Sequence, residues 1–268
     1  MNNLRKIGIK NLKREYQKDY EFFIKEHFNQ EISRSFSEAD ILKLQEFVDG
    51  LNTGLPRDYL IGNSEFYDYK FFVDEGVLIP RPETELIIEE TLKIIRPESS
   101  KRLLDVGTGS GCIIISLINE RPKCNGRAID ISKKALKIAK FNAKMHHLQN
   151  KINFANMNID KFNDNKYDFI VSNPPYITKQ DLSGLDDDVR FYEPYLALEA
   201  GVDGLREIKK LILKSKHLLK INGRLIFEIG KDQMEYSKYL LKINGFYINK
   251  VSKDLNLIPR VIVATKII

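Results

Sequence analysis

Asn173-Pro174-Pro175-Tyr176 follows the apolar run Asp168-Phe169-Ile170-Val171, which is apolar enough for a central strand. Two consecutive prolines fix φ and remove two N–H donors, so the segment's carbonyls stay free. The Asn173 side-chain oxygen and the Pro174 carbonyl could then both accept from one NH₂ group, with Tyr176 packed on its flat face and Pro175 shaping the same pocket. That pair of acceptors suits a planar nitrogen. Such a nitrogen is a poor nucleophile because its lone pair is delocalised, so acceptors that polarise its N–H bonds and aim it at an electrophile supply what the chemistry needs.

A second segment tells what the electrophile is. Leu103-Leu104-Asp105-Val106-Gly107-Thr108-Gly109-Ser110-Gly111 is an apolar strand entering a glycine turn that opens a helix, the arrangement by which a backbone approaches a nucleotide closely. The next strand ends at Asp130, whose carboxylate could accept both ribose hydroxyls. Single residues separate Gly107, Gly109 and Gly111, whereas dinucleotide loops place two before the third glycine to seat a pyrophosphate on the helix. A phosphate-free nucleoside fits better, and S-adenosylmethionine is one that carries a transferable methyl group. Asp105 then serves its ammonium or caps nearby amides, Thr108 and Ser110 complete the loop, and Asn158 either accepts from the adenine amino group through its carbonyl oxygen or is a plain loop asparagine. The reading is methyl transfer to nitrogen.

The elements that must position these residues alternate in kind. Strands at 103–106, 127–129, 152–155, 167–172 and 224–229 are separated by helical patterns after Gly111, from Ser132 to His146 and near 205–219. Such alternation builds a parallel sheet covered on both faces. A helix near 233–243 leads to 246–251 and 261–265, which are joined too closely for another helix and form an antiparallel hairpin at one edge. The expected fold class is α/β, a Rossmann-like class I methyltransferase sheet of seven strands whose last hairpin is antiparallel. Apolar residues at helical spacing over 4–27 and 37–51, the second capped by Ser37, predict a small amino-terminal helical domain. The alternation of Phe66 to Ile79 across Asp74-Glu75-Gly76 predicts a hairpin between the two parts. The expected division is residues 1–58 helical, 59–82 hairpin and linker, and 83–268 methyltransferase.

The 268 residues, 43% of them hydrophobic, suffice for one large core and a small extra domain. No apolar run approaches a bilayer span, and Met1-Asn2-Asn3-Leu4-Arg5 lacks the apolar stretch of a secretion signal, so no membrane association and a cytoplasmic location are expected. Cys112 and Cys124 have no spacing with His that suggests a metal site and read as buried structural thiols. The net charge of +6 favours acidic partners, but Lys, Ile and Asn are enriched along the whole chain, which accounts for it equally well.

From Tyr59 to about Ala264 the chain resembles the peptide chain release factor glutamine methyltransferases, the HemK/PrmC family. The resemblance is carried by Tyr59-Leu60-Ile61-Gly62, by Val77-Leu78-Ile79-Pro80-Arg81-Pro82-Glu83-Thr84-Glu85, by Asp105 through Gly111 and by Asn173 to Ile177. It continues through Glu193-Pro194, Ala197-Leu198, Asp203-Gly204-Leu205, Glu228-Ile229-Gly230 with Gln233, and Asp254-Leu255 before Arg260-Val261. The resemblance implies methyl transfer from S-adenosylmethionine to N(5) of the glutamine in the Gly-Gly-Gln motif of class I release factors. It also implies a helical amino-terminal domain that holds the factor, with no direct need for nucleic acid. Pro80-Arg81-Pro82-Glu83 favours this branch over the ribosomal protein L3 glutamine methyltransferases, which typically carry Pro-Arg-Ser-Pro there. From its residues alone that segment is a domain junction or a lid. An exocyclic amine of a nucleic acid base, or a ribosomal protein glutamine, is the alternative substrate. Three departures stand out: a short amino-terminal domain, Asp68 where a glycine is usual, and Asn158-Ile159 in place of an acid-aromatic pair.

Overall fold

The computed structural model describes residues 16–27, 37–164 and 166–268. Helix α1 spans Gln17–His27; the part of the expected first helix before residue 16 lies outside the described residues. Helix α2, Glu38–Thr53, begins where expected because the Ser37 side chain accepts from the Asp40 N–H while the Asp40 side chain accepts from the Ser37 N–H. It ends at Gly54 in the left-handed region. Tyr20 and Phe23 of α1 pack on Leu44, Phe47 and Leu51 of α2, joined by Ile61 of the short helix α3, Arg57–Ile61.

Strands β1, Asn63–Phe66, and β2, Tyr69–Phe72, form an antiparallel hairpin whose turn is Tyr67-Asp68. This corrects the expected turn at Asp74-Glu75-Gly76. Both Tyr67 and Asp68 have positive φ, 50° and 61°, the geometry of a two-residue hairpin turn that matches strand twist. Asp tolerates that region better than most residues, which accounts for Asp68 at a position where glycine is usual. Asp74 instead closes a local turn, its Oδ1 accepting from the Gly76 N–H at 2.7 Å.

A single-turn helix at Pro82–Thr84 leads into α4, Glu85–Ile94. Then follow β3, Arg102–Val106; α5, Cys112–Glu120; β4, Asn125–Asp130; α6, Lys133–Met145; β5, Ile152–Asn156; and β6, Tyr167–Ser172. Two short helices, α7 at Asp187–Tyr192 and α8 at Tyr195–Leu198, precede α9, Arg206–Leu218. The chain closes with β7, Leu219–Glu228; α10, Met234–Ile243; β8, Phe246–Lys253; and β9, Pro259–Lys266.

The seven-stranded sheet has the order β5-β4-β3-β6-β7-β9-β8, with β9 antiparallel to both β7 and β8. One face packs Leu103, Phe169 and Ile226 against Ile87 and Ile88 of α4 and Ile113, Ile114 and Leu117 of α5. The other packs Leu104, Ile170 and Phe227 against Ile208, Leu211 and Ile212 of α9 and Leu241 of α10. Because successive strand residues point to opposite faces, the continuous apolar runs read from the sequence fill both layers. The chain moves outward from β3 to β5, then returns to β6 beside β3. That reversal opens a crevice at the carboxyl ends of β3 and β6, where the glycine turn and Asn173 emerge.

Candidate active site

At this crevice lies a cavity of about 380 Å³, within the ordinary range for small-molecule sites. Gly107, Thr108, Gly109 and Ser110 line it from the loop after β3, and Asp130 lines it from the end of β4. Asn158 borders it after β5, and Asn173, Pro174 and Pro175 border it after β6. Pro80, Arg81 and Thr84 close a further side.

The loop is shaped by the strand beside it. The N–H groups of Gly107 and Thr108 both donate to the Ile129 carbonyl, at 2.9 and 3.1 Å. Gly109 donates to Asp130 Oδ2 at 3.0 Å, and Ser132 donates to Asp130 Oδ1 at 2.8 Å. Asp130 therefore ties the loop to the start of α6 and keeps acceptor capacity for a ligand. Burial raises its carboxyl above the usual Asp value, and the three backbone N–H groups of Ser132, Gly109 and Ile131 oppose that rise. From behind, Asn142 of α6 donates to the carbonyls of Ser110 and Phe72 and accepts from the Phe72 N–H. The hairpin and the loop thus share one buried side chain.

Three residues expected at the site are elsewhere. Asp105 is fully buried beneath the loop and does not line the cavity. Its Oδ2 accepts from the Thr108 hydroxyl at 2.6 Å, while Oδ1 makes no hydrogen bond of good geometry. Burial pushes this carboxyl up to about 7, with Asp130 adding to the rise and the Thr108 hydroxyl opposing it. Gly111 also stands back from the cavity, its Cα facing Ile115 and Ala139 where α5 meets α6. Tyr176 donates its hydroxyl to Glu228 Oε1, 3.1 Å away, and is not among the residues that line the cavity. A fourth residue lines the site with a different atom on offer. The Asn158 oxygen caps the turn at Ile159–Lys161 by accepting from the Asp160 N–H at 2.9 Å, which leaves its NH₂ as the free group.

Asn173 is held by residues far away in the chain. Its Nδ2 donates to Thr84 Oγ1 at 2.9 Å, and the Thr84 hydroxyl donates to Glu228 Oε2 at 2.6 Å. Among the described residues none donates to the Asn173 side-chain oxygen or to the Pro174 carbonyl, so both acceptors are available to the cavity. Glu228 ends β7 in full burial, which pushes its carboxyl up to about 7 against the pull of Thr84, Tyr176 and Arg260. Gln233 donates to the carbonyls of Tyr176 and Gly204 and accepts from the Gly230 N–H, all at 2.9 Å, clamping the far side of the same segment. In the sequence Glu228 and Gln233 stand only as markers of likeness and Thr84 has no evident task, because the spacing between them carries no contact signal. Arg81 pairs with Glu193 at 2.5 Å, its partner's side chain only 2% exposed. The Pro-Arg-Pro-Glu segment is thereby bound to the stretch before α8, which borders the cavity through Pro194, Leu196 and Ala197.

The open, doubly wound sheet with an antiparallel last pair, and a crevice framed by a glycine turn and Asn173-Pro174, define a class I methyltransferase. In line with this, a family model described as the methyltransferase small domain matches residues 83–185. A methyltransferase from Pyrococcus furiosus shares the fold with a TM-score of 0.55 and 15% identity, over 76% of this chain and 91% of that one. The chain is 33% identical over 234 residues to the release factor glutamine methyltransferase of Caulobacter vibrioides, covering 87% of this chain and 81% of that protein. It is 40% identical over 207 residues to the one from Fusobacterium nucleatum subsp. nucleatum, covering 75% of this chain and 58% of that protein. The match thus spans less than two thirds of the length of some curated relatives. This chain belongs to the release factor glutamine methyltransferase family.

Proposed function

We propose that this chain transfers the methyl group of S-adenosylmethionine to the side-chain amide nitrogen N(5) of the glutamine in the Gly-Gly-Gln motif of class I release factors, in support of translation termination in the cytoplasm. The observation that carries the reading is the pair of unengaged acceptors at the crevice, the Asn173 side-chain oxygen and the Pro174 carbonyl, beside an open glycine loop. A Cβ added at Gly107 or Gly109 would meet nothing within 4 Å, so the loop backbone is open to a ligand. Asp130 has acceptor capacity left for the ribose hydroxyls, and the Asn158 NH₂ suits a ring nitrogen of adenine as acceptor. These residues fit the cofactor, which when bound supplies a methyl on a sulfonium sulfur that leaves as a neutral thioether.

The two acceptors bind the two N–H bonds of the glutamine amide, raise electron density at nitrogen and fix its lone-pair direction. With the cofactor bound, this nitrogen would take its methyl group and release one proton to solvent. Positioning is the main contribution of the chain, since no strong base is needed before attack. In this reading residues 83–268 carry the chemistry, residues 59–82 connect, and residues 1–58 dock the factor. The Tyr192 hydroxyl donates to the Thr53 carbonyl at 2.8 Å, which links the end of α2 to the α7–α8 stretch at the cavity rim.

Purified protein, methyl-labelled cofactor and recombinant release factor test the proposal: label is expected on the glutamine of Gly-Gly-Gln. Label on RNA or DNA and none on that glutamine would instead support an exocyclic base amine as substrate. Asn173→Ala should keep cofactor affinity within about tenfold and lose most turnover, because its contact is with the reacting nitrogen. Near-normal turnover would refute the role given to Asn173.

A further inference from the structure

Glu228 lies outside the cavity, is buried to 1% exposure and yet reaches Asn173 through a single intermediary. We infer that ionised Glu228, acting through Thr84, sets the orientation of the Asn173 amide, and is a positioning residue for the methyl transfer proposed above. The inference rests on that reading for its catalytic consequence and on donor counting for its structural one.

An ionised carboxylate only accepts hydrogen bonds. Thr84 must therefore spend its single hydroxyl hydrogen on Glu228 Oε2, 2.6 Å away. The Thr84 oxygen is left only as an acceptor, and a donor must approach it; of the two ends of the Asn173 amide, only Nδ2 qualifies. The carbonyl end is then turned to the cavity that Asn173 lines, where an amide substrate needs an acceptor. Tyr176 donates to the other Glu228 oxygen, so both carboxylate oxygens direct hydrogens inward from residues flanking the reacting position. Protonated Glu228 could donate to Thr84 instead, freeing the hydroxyl hydrogen to point at Asn173. The amide would gain by rotating its oxygen toward Thr84, which presents NH₂ to the cavity and repels the N–H bonds of the substrate. The groups facing Glu228 are Thr84 and Glu83 from the turn before α4, Tyr176 from the loop after β6, and Arg260 from β9, itself paired with Asp254. Arg260 favours the ionised state and Glu83 opposes it.

The test compares wild type with Thr84→Val, Thr84→Ser and Glu228→Gln. In nitrogen-15 spectra of the ligand-free protein, the Asn173 side-chain NH₂ pair, assigned by its loss in Asn173→Asp, should move in Thr84→Val and Glu228→Gln and stay near its wild-type position in Thr84→Ser. In wild type the same signals should titrate once across neutral pH, and that titration should vanish in Glu228→Gln. With labelled cofactor and release factor, kcat should fall on the order of 10–100-fold in Thr84→Val and Glu228→Gln, KM for the factor should change little, and Thr84→Ser should recover most of the rate. Asn173 signals unmoved by either substitution, or an unchanged kcat in both, would overturn the inference. If wild type leaves the factor's glutamine unlabelled, the substrate reading fails, and the amide signals decide the orientation by themselves.

Discussion

Adding one methyl group at each of two glycines of the cofactor loop separates binding from folding. Gly109 has φ +55° and a Cβ there would meet nothing within 4 Å. Gly109→Ala therefore costs only left-handed strain, about 1–2 kcal/mol, or a Tm lower by roughly 2–8 °C for a chain of this size. The added methyl would stand beside the cavity that Gly109 lines, where the proposed ligand meets the backbone. Affinity for S-adenosylhomocysteine should fall at least about tenfold, which is 1.4 kcal/mol. Gly111 has φ +84°, and its added Cβ would come within 2.9 Å of Ile115 Cδ1 and 3.3 Å of Ala139 Cβ. The Ile115 end can swing aside, but Ala139 cannot without moving α6. Strain and overpacking together put Gly111→Ala at about 2–5 kcal/mol, a larger Tm loss with a smaller effect on affinity for the fraction that stays folded. Thermal unfolding without ligand, and titration calorimetry well below both midpoints, measure the two effects. Wild-type affinity in Gly109→Ala, or a greater affinity loss in Gly111→Ala, would refute the assignment of the loop backbone to the ligand.

Asp105 predicts a dependence on pH. Its folded pKa, about 7, lies above the ordinary Asp value, so between about pH 4 and pH 7 the folded chain holds a proton that the unfolded chain has released. Stability from this group is full below that window and is lost as pH rises through it, the reverse of an acid held in an ion pair. Asp105→Asn should gain about 2–3 kcal/mol relative to wild type between pH 5 and pH 8, read from urea unfolding at both; a difference that does not move with pH would sink the argument. Arg81→Ala strips the ion-pair partner from buried Glu193 and should destabilise by about 2–3 kcal/mol, toward the low end for such pairs because the arginine is partly exposed. Adding Glu193→Gln should recover part of that loss, and a change below about 0.5 kcal/mol in Arg81→Ala would show the pair to be of no consequence.

Much of the fold was legible because its signals are local. The apolar runs 103–106 and 167–172 are each followed by residues that favour a turn, Gly107 at φ 71° and Pro174, so both the strands and the turns after them declare themselves within a dozen residues. The hairpin at 63–72 was misplaced because its turn, Tyr67-Asp68, carries neither glycine nor proline, while Asp74-Glu75-Gly76 looks like a turn and closes only a local loop. The partner of the Tyr176 hydroxyl, Glu228, stands 52 residues further on and carries no signal within the four-residue motif.

The succession of strands and helices along the chain, the glycine loop with its carboxylate and the acceptors of Asn173-Pro174 follow from the sequence itself, because periodicity, turn chemistry and the lack of proline N–H groups act between near neighbours. Which way those acceptors point does not. It depends on Thr84 and Glu228, 144 residues apart, and on the return of β6 to the side of β3, which brings two separate loops to one crevice. A hydrogen bond acts over about 3 Å, and only the packed sheet brings groups so distant along the chain within that reach.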